Sequence, residues 1–292
     1  MRVTEGLVTS KYLNIHERIS EKKIKLQTQL ATNSKIENIS DDLAGSLEAI
    51  RLDSQINRIK TYSKNAQSAQ DFLDQSLKSL GQVTTEMQNI MVAVTNSGNV
   101  VNQDSFPTIA QSIKNSLSAI VQSVNTKLND RPLFGGTNYT ADPVTIASDG
   151  KSVISTLDHS AEVKIQITAN IKEAINIPGG QVLNSGMFEA INSVIDSIVA
   201  GTAPSEAQKT ALNNAYKKIL DVQSLGGEKL NRLENIKNVL DGQKDNYTEM
   251  LTRVQEIKPE HLIMELQQQD YLLQVSSKLL ANSFTRSVLD YL

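Results

Sequence analysis

The sequence predicts a mostly α protein: a long antiparallel helical bundle or coiled coil built by the N- and C-terminal segments, with a small mixed α+β domain inserted in the middle. Three observations predict it. Apolar residues recur at steps of three and four over most of the 292 residues. Only between residues 133 and 204 does the texture change to short alternating runs broken by Asp, Gly and Pro. Aromatic residues make up only 4% of the chain and Trp is absent, so the large rings that commonly fill globular cores and ligand pockets are scarce.

Along the chain, Tyr12, Ile15, Ile19, Leu26 and Leu30 form an imperfect amphipathic stripe, with Lys22 or Lys23 where one apolar residue would fall. The run breaks at residues 31–39. Ser40, Asp41 and Asp42 then offer side-chain acceptors to the free N–H groups of a helix carrying Leu43, Leu47 and Ile50. From Ile59 the stripe continues through Tyr62, Ala66, Ala69, Leu73, Leu77, Leu80, Val83, Met87, Ile90 and Val94, close to a heptad seam. Continuous from Asp42 to Thr95, this helix would be roughly 80 Å long. Residues 96–99 stop it, and Phe106-Pro107 precedes a helix with Ile109, Ile113, Leu117, Ile120, Val124 and Leu128. Asn129 to Pro132 and the Gly135-Gly136 pair read as a turn leading into the insert. There Val163, Ile165 and Ile167 mark a strand, and Met187 to Ile198 a short helix. From Ser205 the heptad texture resumes through Ile219, Val222, Leu233, Ile236 and Leu240 to Ile257, interrupted only by Gly226, Lys229 and Gln243. Pro259 is expected to end or kink that helix. A final helix places Ile263, Leu266, Leu273, Leu280, Phe284 and Tyr291 on one seam. The expected division is therefore residues 1–38 paired with 260–292, a bundle of 39–140 plus 205–259, and an insert of 141–204.

Composition removes several function classes. With no Cys there is no disulfide framework, thiolate metal site or Cys nucleophile. The balance of 29 Lys+Arg against 32 Asp+Glu argues against a nucleic-acid partner. No apolar run approaches the roughly 20 residues that span a bilayer, and the N-terminal segment lacks the pattern of a cleaved secretory signal. The two terminal stripes are the informative feature. A short pair of helices exposing Leu, Ile, Phe and Tyr is marginal in water unless docked. Identical subunits that pack these helices side by side would form a ring or a helical oligomer.

The segment from Leu30 to Gly45, the turn Asn129-Asp130-Arg131-Pro132-Leu133-Phe134-Gly135-Gly136-Thr137 and the ending Ser287 to Leu292 together resemble the bacterial flagellin superfamily. The resemblance covers residues 1–140 and 205–292. Within that superfamily, Met1-Arg2-Val3, the turn from Arg131 to Thr137 and Asp290-Tyr291-Leu292 resemble the hook–filament junction family, and the flagellin-type Asn-Thr-Asn near the start is absent. Leu43-Ala44-Gly45 stands where the junction pattern carries Pro, and is nearer to filament flagellin. The resemblance implies an extracellular structural subunit, not an enzyme. It would be exported unfolded by the flagellar type III system without a cleaved signal, and seated between the first hook-associated protein and flagellin. It also implies a cytoplasmic export chaperone on the C-terminal segment. The alternatives are flagellin itself, the bulk filament subunit, and a coiled-coil scaffold outside the flagellum.

The residue patterns of catalysis and cofactor binding are missing. His16, His159 and His261 are far apart, no His-Glu-x-x-His occurs, and each His is expected on a solvated surface. Asp41 and Asp42 read as caps, not as an acid–base pair, because adjacent helical residues point apart. Gly150-Lys151-Ser152 lacks the first glycine of a phosphate loop, and Gly135-Gly136 lacks the third of a dinucleotide fingerprint. No catalytic, cofactor or metal residue is assigned. The candidate site is the self-assembly interface of Tyr12, Ile15, Ile19, Leu26, Leu30, Ile263, Leu266, Leu273, Leu280, Phe284 and Tyr291, supported by Ser40, Asp41, Asp42, Gly135, Gly136 and Pro259 as caps and turns.

Overall fold

The computed structural model describes residues 2–98, 105–139 and 141–289; the side chains of residues 2–6, 8, 9 and 282–289 are not described. Long helices dominate. They are α1 (Arg2–Thr32), α2 (Leu43–Ser97), α3 (Phe106–Val124), α6 (Glu206–Gln255) and α7 (Pro259–Leu289). Between α3 and α6 lie three two-stranded antiparallel hairpins: β1 (Lys127–Leu128) with β2 (Arg131–Pro132), β3 (Val144–Ile146) with β4 (Ser152–Ile154), and β5 (Lys164–Gln166) with β6 (Lys172–Ala174). The one-turn helix α4 (Gly179–Leu183) and α5 (Met187–Val199) follow. The mostly α fold with a small strand-containing middle is the one the hydrophobic periodicity predicts.

The chain forms two compact units. One holds residues 1–58 and 244–292, the other residues 59–243. In the second unit one core is shared by the helices and the insert: Leu73, Leu80, Met87, Ile113, Leu117, Ile120, Phe134, Ile167, Phe188, Ile191 and Ile219 are all buried in it. The α2 seam from Ala66 to Val94 is buried almost residue for residue as the heptad spacing predicts. Burial at this density is the main stabilising term, at about 25 cal/mol per Å² of apolar surface removed from water.

Two boundaries and one burial differ from the sequence expectation. Helix α3 stops at Val124, and Leu128 lies in β1 instead. Asn129 and Asp130 take φ of 50° and 62°, closing a tight hairpin that pairs Leu128 with Arg131. Pro259 does not end α6, which stops at Gln255, but opens α7, where its missing N–H costs nothing. His159 is buried, not solvated: its Nδ1 lies 3.2 Å from the Gly135 carbonyl oxygen, and its Nε2 has no partner. The turn that holds it is tight, because Gly136 sits at φ 62° against the His159 backbone.

The insert's strands are too short to stand alone. Asparagine carboxamides hold them. Asn125, just past α3, donates to the Val144 carbonyl and accepts from its N–H. Asn192 on α5 does the same for Ser152, and Asn176 spans Ala161 and Val163. At the start of α6, Ser205 and Gln208 form a reciprocal capping box, and the Gln208 amide also donates to Ser193 and Ser197.

Candidate assembly surface on the terminal helices

Helices α1 and α7 lie side by side in the first unit. Their antiparallel register is marked by Lys23 Nζ on Asp270 Oδ1 at 2.5 Å and by Ser277 Oγ at 3.4 Å from His16 Nε2. Of the residues expected on the seam, Leu26 is buried, and Tyr12, Ile19, Leu266, Leu273 and Leu280 are half-buried. Ile15, Leu30 and Ile263 are exposed. The side chain of Phe284 and the whole of Tyr291 lie outside the described residues.

The seam is more polar than the sequence suggests. Gln269 and Ser276 occupy it at 6% and 5% exposure, and Ser276 Oγ has no hydrogen-bond partner. Lys23 also sits there, its charge met by Asp270. The far side of α7 is apolar instead: Met264, Tyr271 and Leu279 are exposed at steps of seven and eight, with half-buried Val275 between the last two. A helix that buries Gln and Ser while leaving Met, Tyr and Leu in water gains little from its in-chain partner. This second stripe was available in the sequence as the series 264, 271, 275, 279, but it competes with the Leu266–Leu273–Leu280 series, and periodicity alone does not say which faces inward.

The link between α1 and α2 is an ordered turn, not a loose linker. Lys25 Nζ meets Asp41 Oδ1 at 2.5 Å and Lys35 Nζ meets Asp42 Oδ2 at 2.7 Å. Asp41 also accepts from the Glu37 and Asn38 N–H groups, and Asp42 caps α2 through the Gly45 N–H at 2.9 Å. These bonds to Lys25 and Lys35, with the backbone donors, hold both carboxyls below the usual carboxylate range. Ser40 takes no part in these bonds. The Lys35 N–H donates to the Gln255 carbonyl, tying the turn to the end of α6.

The first turns of α2 also differ from the reading of their spacing. Ser46, Ala49, Leu52 and Ile56 are buried, whereas Leu43, Leu47 and Ile50 point to solvent. Among the described residues no cluster of three or more acidic or His side chains could hold a metal ion, and no helix is long and apolar enough to cross a membrane. An open polar groove in the second unit, lined by Lys78, Gln82, Glu86, Gln122 and Thr126, has no buried charged group within it.

Comparison with known proteins gives this geometry a lineage. Residues 6–139 match the bacterial flagellin N-terminal helical region. The chain is 25% identical to flagellin of Bacillus subtilis over 97% of its own length and 96% of the relative's. It is 23% identical to flagellar hook-associated protein 3 of Escherichia coli, over 87% of this chain and 88% of that one. The solved structure of a Vibrio parahaemolyticus protein described as flagellar hook-associated covers 74% of this chain and all of its own, with a TM-score of 0.66 at 17% identity, which is a likeness of fold. With the N-terminal flagellin region matched over residues 6–139 and the helical frame shared, the chain is similar to proteins of the flagellin superfamily along most of its length.

Proposed function

We propose that the chain is a structural subunit of the bacterial flagellum that joins the hook-associated ring to the flagellin filament and performs no reaction. The observation that carries this reading is the α1–α7 pair, which buries Gln269 and Ser276 and leaves Met264, Tyr271 and Leu279 outside. Such a pair is under-stabilised alone and gains by packing against copies of itself. Its likeness to hook-associated protein 3 supports the junction position over the filament. The partners are then copies of the same chain, the first hook-associated protein on one side and flagellin on the other. A cytoplasmic chaperone covers α7 before export through the type III route, because an exposed apolar stripe otherwise aggregates.

A second reading, bulk filament flagellin, is favoured by one specific pair of observations: the full-length match to Bacillus subtilis flagellin, and Leu43-Ala44-Gly45 after the two Asp residues. Electron microscopy of flagella labelled against this chain separates the two. A single band at the tip of the hook is expected; continuous decoration along the filament would establish the second reading, and unlabelled flagella would overturn both.

A further inference from the structure

The beginning of α2 is apolar on two opposite faces. One face packs inward through Ala49, Leu52 and Ile56. On the other, Leu43, Leu47 and Ile50 are 62%, 58% and 56% exposed, with Ile39 just ahead of them at 57%. Steps of four and three place the three helical residues in one line. The line ends there: Ser54, Asn57 and Thr61, the next positions on that face, are polar. The stripe is thus a bounded patch, roughly 10 Å long at about 1.5 Å per residue.

We propose that this patch is one half of a contact between two copies of the chain, and that it receives the outward stripe of α7, Met264, Tyr271, Val275 and Leu279, from the neighbouring copy. The inference rests on the assembly reading above and names a specific contact within it. Two arguments select this occupant. First, an open-ended or ring assembly needs two different, mutually complementary surfaces on each subunit, whereas a two-fold dimer needs only one. The first unit carries two apolar stripes that the described residues leave largely exposed. Second, the patch lacks the cationic border of a lipid-binding helix: its neighbours Glu48 and Arg51 stand 3.8 Å apart and offset each other's charge. An uncharged stripe of aliphatics fits another uncharged stripe.

The absence of Cys makes the contact directly testable. Full-length Leu47→Cys and Tyr271→Cys variants, carrying different tags, are mixed at concentrations where the unmodified chain associates, treated with a short bis-maleimide and run on a denaturing gel. A cross-linked product bearing both tags is expected, absent when either variant is treated alone. Leu47→Asp is expected to weaken self-association at least tenfold with helix content unchanged. Association with only same-tag products, or with none, overturns this contact and leaves the assembly reading standing. Leu47→Asp that associates normally assigns the patch to a different protein and likewise overturns it. A chain that stays monomeric at every concentration overturns both.

Discussion

Asp42 occupies the space that a side chain at Gly45 would need: a Cβ there would stand 2.8 Å from Asp42 Oδ2 and 3.0 Å from Ile36 Cδ1, while the Gly45 N–H donates to Asp42 Oδ1 at 2.9 Å. The cap of α2 and the packing of the turn before it therefore depend on one missing methyl group. Gly45→Ala is expected to displace the carboxylate, open the turn from Asn33 to Asp42 and make it a preferred cleavage site. Limited proteolysis of the variant checks this, and the far-UV helix signal of the second unit should not change.

The same turn carries an acid response. Asp41 and Asp42 titrate below their unfolded values, chiefly through their bonds to Lys25 and Lys35 and to backbone N–H groups. Their contribution to order is present above the unfolded carboxylate value, about 4, and is lost as pH falls through the lower folded values. Amide exchange at Glu37, Asn38 and Gly45 should accelerate over that acidic window, and Asp41→Asn with Asp42→Asn should remove the dependence.

In the second unit, a Cβ at Gly179 would fall 1.8 Å from the Phe134 carbonyl oxygen, a backbone atom that cannot swing aside. Gly179→Ala must push α4 off the Leu133–Thr137 turn. A loss of about 3 kcal/mol is expected, the upper end for overpacking a tight site, read by denaturant unfolding.

Gln208 joins the start of α6 to Ser193 and Ser197 on α5. Gln208→Ala removes one arm of the capping box and should cost about 1 kcal/mol. Gln208→Glu, which still accepts from Ser205 but cannot donate to α5, should recover part of that loss in thermal unfolding.

For the terminal pair the expectation runs in two directions. Gln269→Leu with Ser276→Leu should tighten the α1–α7 seam and raise protease resistance of both ends in the free chain, since a polar group is no longer buried without a full set of partners. Leu273→Asp should do the opposite and abolish incorporation into flagella, with the second unit still folded. Normal motility in the Leu273→Asp strain would count against the assembly role.

The architecture was legible where one face of a long helix does all the packing. Spacing placed Ala66, Leu73, Leu80, Met87 and Ile90 in the core because nothing competes with that face. Legibility fails where a helix has two apolar faces, as at Leu43–Ile50 and Met264–Leu279, because periodicity locates stripes and does not rank them. It fails again where a small polar side chain replaces strand pairing: Asn125, Asn176 and Asn192 look like ordinary loop or helix-surface residues until their backbone partners are known. Gly226 breaks the apolar spacing of α6, yet a Cβ there would stand 2.8 Å from Leu77 Cδ2. Smallness, not hydrophobicity, is what that position supplies.

The asparagine clamps have a consequence for the assembly proposed above. Val144 and Ser152 lie in opposite strands of the β3–β4 hairpin, and each has both its N–H and its carbonyl taken by an asparagine carboxamide, from Asn125 just past α3 and from Asn192 on α5. Those are the groups by which an exposed strand recruits another. Were many copies to stand shoulder to shoulder, the hairpin would have fewer free groups with which to zip onto its neighbour's. In the proposed assembly, contact between subunits would then be steered away from this hairpin and toward the helices.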